Sequence, residues 1–218
     1  MDMTITDDVE AERAAFAESL IAAGPSASTA CGEWTALDLA AHVVGEERYG
    51  GVTTFIARSL VVRGVCVTGT TKLVDAALRL ERKRGFTALI DRLRRPMPRL
   101  LLHPRVAPLA LFEYWTHHDD LIGFDSGSHA VPRTLVKVIP LVLRYQLRQL
   151  PAGVRVTVDS GEENQRWSVG PKSGQEVIVG GSPPDLIRWL SGRTTPGDVT
   201  MTGPDNVVQT LRVFAGRV

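Results

Sequence analysis

The chain has 218 residues, of which 44% are hydrophobic and 22% charged, a composition typical of a folded globular protein with one large core or two modest ones. These values exclude intrinsic disorder, collagen-like repeats and disulfide-framework proteins. The formal net charge of +1 favours neither nucleic acid nor a membrane surface as a partner, although arginine and lysine crowd residues 79–105.

The N-terminus and the cysteines indicate the compartment. Residues 1–12 carry acids where a signal peptide needs basic residues, and no apolar run approaches the roughly 18 residues of a membrane span. The two cysteines, Cys31 and Cys66, are too few for a secreted scaffold and too far apart in sequence for a C-x-x-C motif. We therefore expect a cytoplasmic protein with reduced cysteines, in which Cys31 is a buried, inert thiol rather than a reactive one.

Helical periodicity dominates the first part of the chain. Gly24-Pro25 ends the first predicted helix, and the second begins at Thr35 as N-cap with Asp38 at the reciprocal position of a capping box. Gly85 divides the third helix, and a proline-rich connection precedes the fourth. The predicted helices cover residues 7–23, 36–49, 72–95 and 109–124.

Beyond Asp125-Ser126-Gly127 the hydrophobic period drops toward the alternation of strands. Strands are predicted around Val154–Val158, Trp167–Val169, Val177–Val179 and Val199–Met201, and helices over 131–150, 184–190 and 205–214. The predicted fold class is α+β in two parts. A helical domain occupies residues 1–128 and a small α+β domain occupies residues 129–218.

Glu113 and His117 are the residues whose spacing indicates chemistry. They are four apart on the fourth helix and therefore share a face, where a carboxylate and an imidazole can bind one ion. Zinc needs a third protein ligand, and His42, within an apolar stretch of the second helix, is the natural donor. The residues alone leave two interpretations open: a metal site between helices, or a hydrogen-bonded core histidine beside a solvated helix face.

Two segments carry a resemblance to a known family, CGEWTALDLAAH at residues 31–42 and EYWTHHDDL at residues 113–121. They resemble the DinB-like superfamily and, within it, the actinobacterial branch of mycothiol-dependent maleylpyruvate isomerases. The resemblance implies a DinB-like four-helix bundle followed by a small sterol-carrier-like α+β domain. It also implies a divalent metal ion, zinc by preference, bound by His42, Glu113 and His117.

The resemblance further implies a mycothiol-dependent transferase or isomerase, in which the metal activates the thiol for attack on a small electrophile. The expected partners are a small thiol and a small electrophilic substrate, with no nucleic acid and no membrane, in a monomer or a homodimer. The alternative is a non-catalytic metal-binding module whose C-terminal domain binds a lipid or a protein. A hydrolase that uses metal-bound water stays open as a third possibility.

The other histidines and the acids near the predicted ligands are expected to have structural roles rather than to bind the metal. His118 is turned about 100° around the helix from His117 and is expected to lie outside the ligand set. Asp38 is interpreted as a helix cap, and Asp120 as a surface acid rather than a group that orients a ligand imidazole. His103 and His129 lie in loops and are expected to be solvated.

Three arginines are candidates for binding the carboxylate of a thiol cofactor, with a solvated helix face as the alternative. They are Arg82, Arg92 and Arg95. The aromatic residues Trp34, Tyr114 and Trp115 are candidates for a ligand pocket, although core packing is the default for at least two of them.

Overall fold

The computed structural model describes residues 4–50, 70–123, 129–146, 153–161, 165–193 and 198–215. Residue contacts divide the chain into two compact units, Met1–His129 and Ala130–Val218. The first unit is helical and the second combines helices with a small sheet, so the fold is α+β in two parts. Cys66, the second cysteine, lies outside the described residues.

The first helix, α1 (Ile5–Ala23), begins at a capping box in which the side chains of Thr4 and Asp7 each accept a hydrogen bond from the other residue's backbone N–H. It ends at Gly24, whose φ of 80° suits glycine. The buried side of α1 carries apolar and charged side chains together. These are Asp8, Val9, Glu12, Arg13, Phe16, Ala17 and Leu20.

The second helix, α2 (Ala36–Gly45), starts at the predicted capping box of Thr35 and Asp38, which the structure confirms. It continues into a π-helical turn over Glu46–Gly50. Such turns add a residue to the helical turn and occur frequently at functional sites. Gly45 lies against the next helix, because a Cβ at this position would stand 3.3 Å from the Cβ of Ala77.

The predicted third helix is divided, as the sequence indicated, into α3 (Thr70–Arg82) and α4 (Phe86–Arg94). Gly85 separates them with a φ of 82°, a conformation that side chains other than glycine rarely adopt.

The helix α5 (Ala107–Ile122) is largely enclosed, since 12 of its 16 residues are buried. Pro108 occupies its first turn, where the missing N–H costs nothing, and Gly123 ends it with a φ of 78°. Five consecutive polar residues, Thr116–Asp120, are buried within this helix. In the described part of the chain, no helix is both long enough and apolar enough to cross a membrane.

The second unit contains a four-stranded sheet with the order β2-β1-β3-β4. Its central strands β1 and β3 run parallel, while β2 and β4 pair antiparallel at the edges. Alternate valines of the central strands are fully buried: Val156, Val158, Val177 and Val179. The strands are β1 (Val154–Asp159), β2 (Arg166–Val169), β3 (Gln175–Gly180) and β4 (Thr200–Thr202), and each predicted strand is present.

Helices flank the strands in sequence, and one predicted helix is corrected. The span 131–150 was predicted as a single helix, but the structure breaks it into α6 (Arg133–Val136) and α7 (Ile139–Gln146). Pro140 explains the break, because it lacks the N–H of a continuous helix and its ring would clash with the carbonyl of Val136. The remaining helices are α8 (Pro183–Leu190) and α9 (Asp205–Ala215), as predicted.

Candidate functional site

The structure brings the predicted ligands of α2 and α5 into one neighbourhood, called here the His42 cluster (His42, Glu46, Glu113, His117 and Asp120). The rings of His42 and His117 lie 4.9 Å apart between centroids and nearly perpendicular, at 78°. Nε2 of His117 lies 3.7 Å from Oε2 of Glu113 on the same helix. The imidazoles are almost enclosed, whereas the Glu113 side chain keeps 28% of its surface exposed.

Asp120 fixes the orientation of His117. Its carboxylate is fully buried, and Oδ2 lies 3.1 Å from Nδ1 of His117. An ionised carboxylate can only accept, so Nδ1 donates the hydrogen bond and Nε2, which faces Glu113, keeps its lone pair. The interpretation of Asp120 as a surface acid was therefore wrong. The signal was present in the sequence as the three-residue spacing from His117.

Glu46 and Trp34 complete the surroundings of His42, and the four-residue spacing between His42 and Glu46 was the available signal for Glu46. Oε1 of Glu46, in the π-helical turn, lies 3.8 Å from Nε2 of His42. The ring of Trp34 stands 5.0 Å from the imidazole of His42 at a tilt of 56°. A carboxylate and an indole thus both lie beside the His42 ring.

The candidate cofactor-binding arginines do not form one group of contacts. Arg82 donates to Asp38 at 3.0 Å while its side chain stays 57% exposed, and Asp38 also caps α2 as predicted. At the end of α4, the carbonyl oxygens of Arg92 and Arg95 accept hydrogen bonds from the guanidinium of Arg13. The role of these arginines in binding a cofactor stays a prediction.

A buried ion pair joins α1 to the π-helical turn. Arg13 donates to both carboxylate oxygens of Glu47, at 2.6 and 3.0 Å, and the Tyr114 hydroxyl donates to the same carboxylate. Burial, followed by the charge of Glu47, raises the pKa of Tyr114 well above its usual range. Tyr114 and Trp115 are buried, so core packing accounts for both, while Trp34 is partly exposed.

A second group of histidines lies on another side of α5, called here the Glu12 cluster (Glu12, His118, Asp119 and His129). Oε1 of Glu12 accepts from Nδ1 of His118 at 2.6 Å and from Nε2 of His129 at 2.9 Å. The His129 ring stacks on Trp115 at 4.7 Å between centroids, with 3° between the planes. Among the described residues, Glu12, His118 and His129 are the group of three whose ligand atoms all lie within 4.8 Å of one another.

The charges of the Glu12 cluster stabilise one another. Burial would lower the pKa of His129, but Asp119 and Glu12 outweigh it and raise that pKa to about 9. Burial likewise opposes ionisation of Glu12, but the two histidines lower the pKa of its carboxyl. The expectation that His129 is solvated was wrong, and His118 is buried as well. A charged residue at position 12 within the apolar stripe of α1 was the available signal.

Cys31 lies partly buried in the loop before α2, where its backbone N–H donates to the hydroxyl of Thr29 at 3.2 Å. This position is compatible with the structural role predicted for it.

Comparison with known proteins gives a family match and two similar folds. Residues 6–108 match the family model described as the mycothiol maleylpyruvate isomerase N-terminal domain. The crystal structures of the mycothiol-dependent maleylpyruvate isomerase and of a histidine-to-alanine mutant of it each align with a TM-score of 0.58. Each alignment covers 92% of this chain and 94% of the other. The sequence identity is 16%, so the structural similarity shows a shared fold alone. No curated protein matches the chain.

Proposed function

We propose that the protein is a mycothiol-dependent transferase or isomerase, because residues 6–108 match the model of the mycothiol maleylpyruvate isomerase N-terminal domain. His42, Glu113 and His117 are the proposed ligands of its divalent metal ion, for which zinc is the first choice. The observation that carries the proposal is the close approach of His42 and His117, whose ring centroids lie 4.9 Å apart, with the buried Asp120 hydrogen-bonded to the His117 ring.

The donor set fits zinc. Two imidazoles and one carboxylate are ordinary zinc ligands, and three protein ligands leave one position for a small molecule. The hydrogen bond from His117 to Asp120 is the arrangement that usually orients a ligating imidazole and raises its basicity. The exposed part of Glu113 faces solvent, so a small thiol has a route to the cluster.

When bound there, the ion would favour the thiolate form of a small thiol at neutral pH. The residues of this chain have separate tasks. Asp120 holds the proton on Nδ1 of His117, and Trp34 excludes water from one side of His42. No protein cysteine is needed as nucleophile, so turnover is expected to survive the double substitution of Cys31→Ser and Cys66→Ser.

For the thiol cosubstrate and the electrophile, we propose the chemical class rather than the compound. Mycothiol is proposed from the family, and Arg82, Arg92 and Arg95 are proposed to bind its carboxylate. Arg82 is the best placed for this role, because its side chain is mostly exposed and its partner Asp38 belongs to the helix that carries His42. We also retain the sterol-carrier-like interpretation of the C-terminal domain as a proposal.

One observation favours the alternative of a non-catalytic metal-binding module. Glu46 places a second carboxylate 3.8 Å from Nε2 of His42, which supplies a fourth donor to the cluster. Four protein ligands would close the coordination shell and indicate a structural ion, whereas three would leave it open for a thiol.

Metal content decides between these outcomes. The chain is purified without a histidine tag, and zinc per chain is measured after reconstitution for His42→Ala, Glu113→Ala and His117→Ala. Each should lose tightly bound zinc relative to the wild type, whereas His103→Ala, an exposed histidine elsewhere, should lose none. Unchanged zinc in all three ligand variants would overturn the assignment.

Glu46→Gln separates the catalytic proposal from its alternative. Retained zinc together with mycothiol conjugation of a model electrophile supports the enzyme. A large loss of zinc affinity in Glu46→Gln, with no conjugation by the wild type, supports the closed structural site.

A further inference from the structure

The Glu12 cluster is independent of the proposed thiol site. It joins three parts of the helical unit: Glu12 on α1, His118 on α5, and His129 at the end of the unit. The three side chains are at least nine-tenths buried, since Glu12, His118 and His129 expose 10%, 9% and 10% of their side-chain surface. None of them takes part in the chemistry proposed for the His42 cluster.

We propose that Glu12, His118 and His129 form a second metal site, which binds a divalent first-row transition ion such as zinc. Two imidazole nitrogens and one carboxylate oxygen form a donor set that suits zinc and its neighbours better than calcium or magnesium, which take oxygen ligands. The three ligand atoms already lie within 4.8 Å of one another.

The outer nitrogens of both imidazoles support this assignment. Nε2 of His118 lies 2.8 Å from the hydroxyl of Ser19, and Nδ1 of His129 lies 3.7 Å from Oδ1 of Asp119. The outer nitrogen of His118 can therefore donate its proton to Ser19. The outer nitrogen of His129 is too far from the Asp119 carboxylate for a hydrogen bond but lies within ion-pair distance of it. The inner nitrogens, toward Glu12, bind the ion. Metal-bound histidines almost always have such a partner on the other nitrogen.

The distances between the three ligand atoms are shorter than a bound ion requires, so the cluster must expand slightly. Glu12 Oε1 lies 2.6 and 2.9 Å from the two inner nitrogens, which are hydrogen-bond lengths. Tetrahedral zinc with ligands at about 2.0–2.1 Å separates its ligand atoms by roughly 3.3 Å. An outward movement of about half an ångström by each ring thus admits the ion, and the side chains can supply it by small rotations.

Charge also favours a cation. Glu12 and Asp119 are two buried carboxylates beside His129, whose imidazole carries a proton at neutral pH. A divalent ion that displaces this proton to water raises the positive charge beside the two carboxylates from one to two. The stacking of His129 on Trp115 holds the ring in the plane needed to reach Glu12. Bound in this way, the ion would fasten the last residue of the helical unit to its first helix.

Zinc per chain, measured for two single variants and their combination, tests the site. His129→Gln keeps a donor for Glu12 but supplies a poor zinc ligand, and His42→Ala disables the other cluster. If both sites bind, the wild type holds about two zinc ions, each variant about one, and the double variant about none. His103→Ala is the control and should match the wild type.

The same measurements distinguish the failure of each proposal. Zinc that is unchanged by His129→Gln but abolished by His42→Ala overturns the second site and leaves the proposed function intact. Zinc that is abolished by His129→Gln and unchanged by His42→Ala supports the second site and removes the metal from the proposed function.

A second measurement covers the case in which His129→Gln does not fold. In His42→Ala, added zinc should raise the melting temperature, because a ligand that binds only the folded state stabilises it. No zinc bound and no rise in melting temperature in that variant would overturn the second site.

Discussion

The two units bury different kinds of side chain. In the described part of the helical unit, ten acidic, arginine or histidine side chains are buried: Asp8, Glu12, Arg13, Asp38, Glu47, Glu81, His117, His118, Asp119 and Asp120. In the described part of the sheet unit, the buried polar side chains are hydroxyls: Thr157, Ser160 and Ser191.

This difference separates two ways of specifying a structure. Burying charge is costly unless each group has a partner in the right place, so a helical unit of this kind depends on specific pairs. The sheet unit depends on apolar packing, which tolerates change provided that volume is kept. Candidate chemistry therefore concentrates in the helical unit, and the following predictions test the contrast.

The largest expected effect is that of Glu47→Ala. It leaves the guanidinium of Arg13, only 6% exposed, without its carboxylate, and should lower the free energy of unfolding by about 3–5 kcal/mol. Urea unfolding followed by circular dichroism measures the change. The matched control is Glu10→Ala, an exposed glutamate on α1, whose removal should matter little. A loss for Glu47→Ala no larger than that of the control would contradict the contrast.

Leu186→Ala should show that the sheet unit depends on apolar volume. The side chain is fully buried, and its truncation is expected to cost about 2–5 kcal/mol in the same assay. Leu141→Ala makes the identical change in the same unit at a position that is 45% exposed, and should cost much less. Equal losses for the two leucines would mean that burial does not govern stability here.

Asp120→Asn tests the helical unit at its candidate site. The variant weakens the hydrogen bond that orients His117, and zinc affinity at the His42 cluster should fall by about 10- to 100-fold. Competition with a chromophoric chelator measures the affinity, in a His129→Gln background so that one cluster is observed. Asp91→Asn, an exposed acid on α4, is the control. An unchanged affinity would show that Asp120 does not support a metal ligand.

The smallest expected effect concerns the exposed cap of α1. Hydrogen bonds from Thr4 lower the pKa of Asp7 below its usual value of 3.8. The cap's contribution is therefore present above that value and is lost as the pH falls through the lower pKa of the folded state. Stability measured by circular dichroism should decline less steeply with acid in Asp7→Asn than in the wild type. Parallel acid profiles would show that the cap adds nothing.

Local patterns predicted most of the elements, because capping boxes, glycines and periodicity act over a few residues. The capping box at Thr35 and the break at Gly85 are examples. The break before Pro140 was equally local but was overlooked. The π-helical turn that presents Glu46 could not be predicted, since no short pattern encodes it.

Pairs that are distant in sequence account for what was missed at the candidate sites. His129 meets Glu12 across 117 residues, and no periodicity links them. The proposed triad of His42, Glu113 and His117 came from family motifs rather than from spacing alone, and its role as a ligand set stays a prediction. The burial of Asp120 depends on the whole helical unit, which a helix-by-helix interpretation does not contain.

The separation between Glu12 and His129 has a consequence for the order of folding during synthesis. Arg13 can meet Glu47 after a loop of 34 residues, but the contact of Glu12 with His129 forms only after residue 129 has left the ribosome. Closing the longer loop costs about 1 kcal/mol more in chain entropy. The Arg13 pair should therefore form first, and the Glu12 cluster should complete the helical unit. A nascent chain halted before residue 129 should accordingly leave Glu12 with His118 as its one histidine partner.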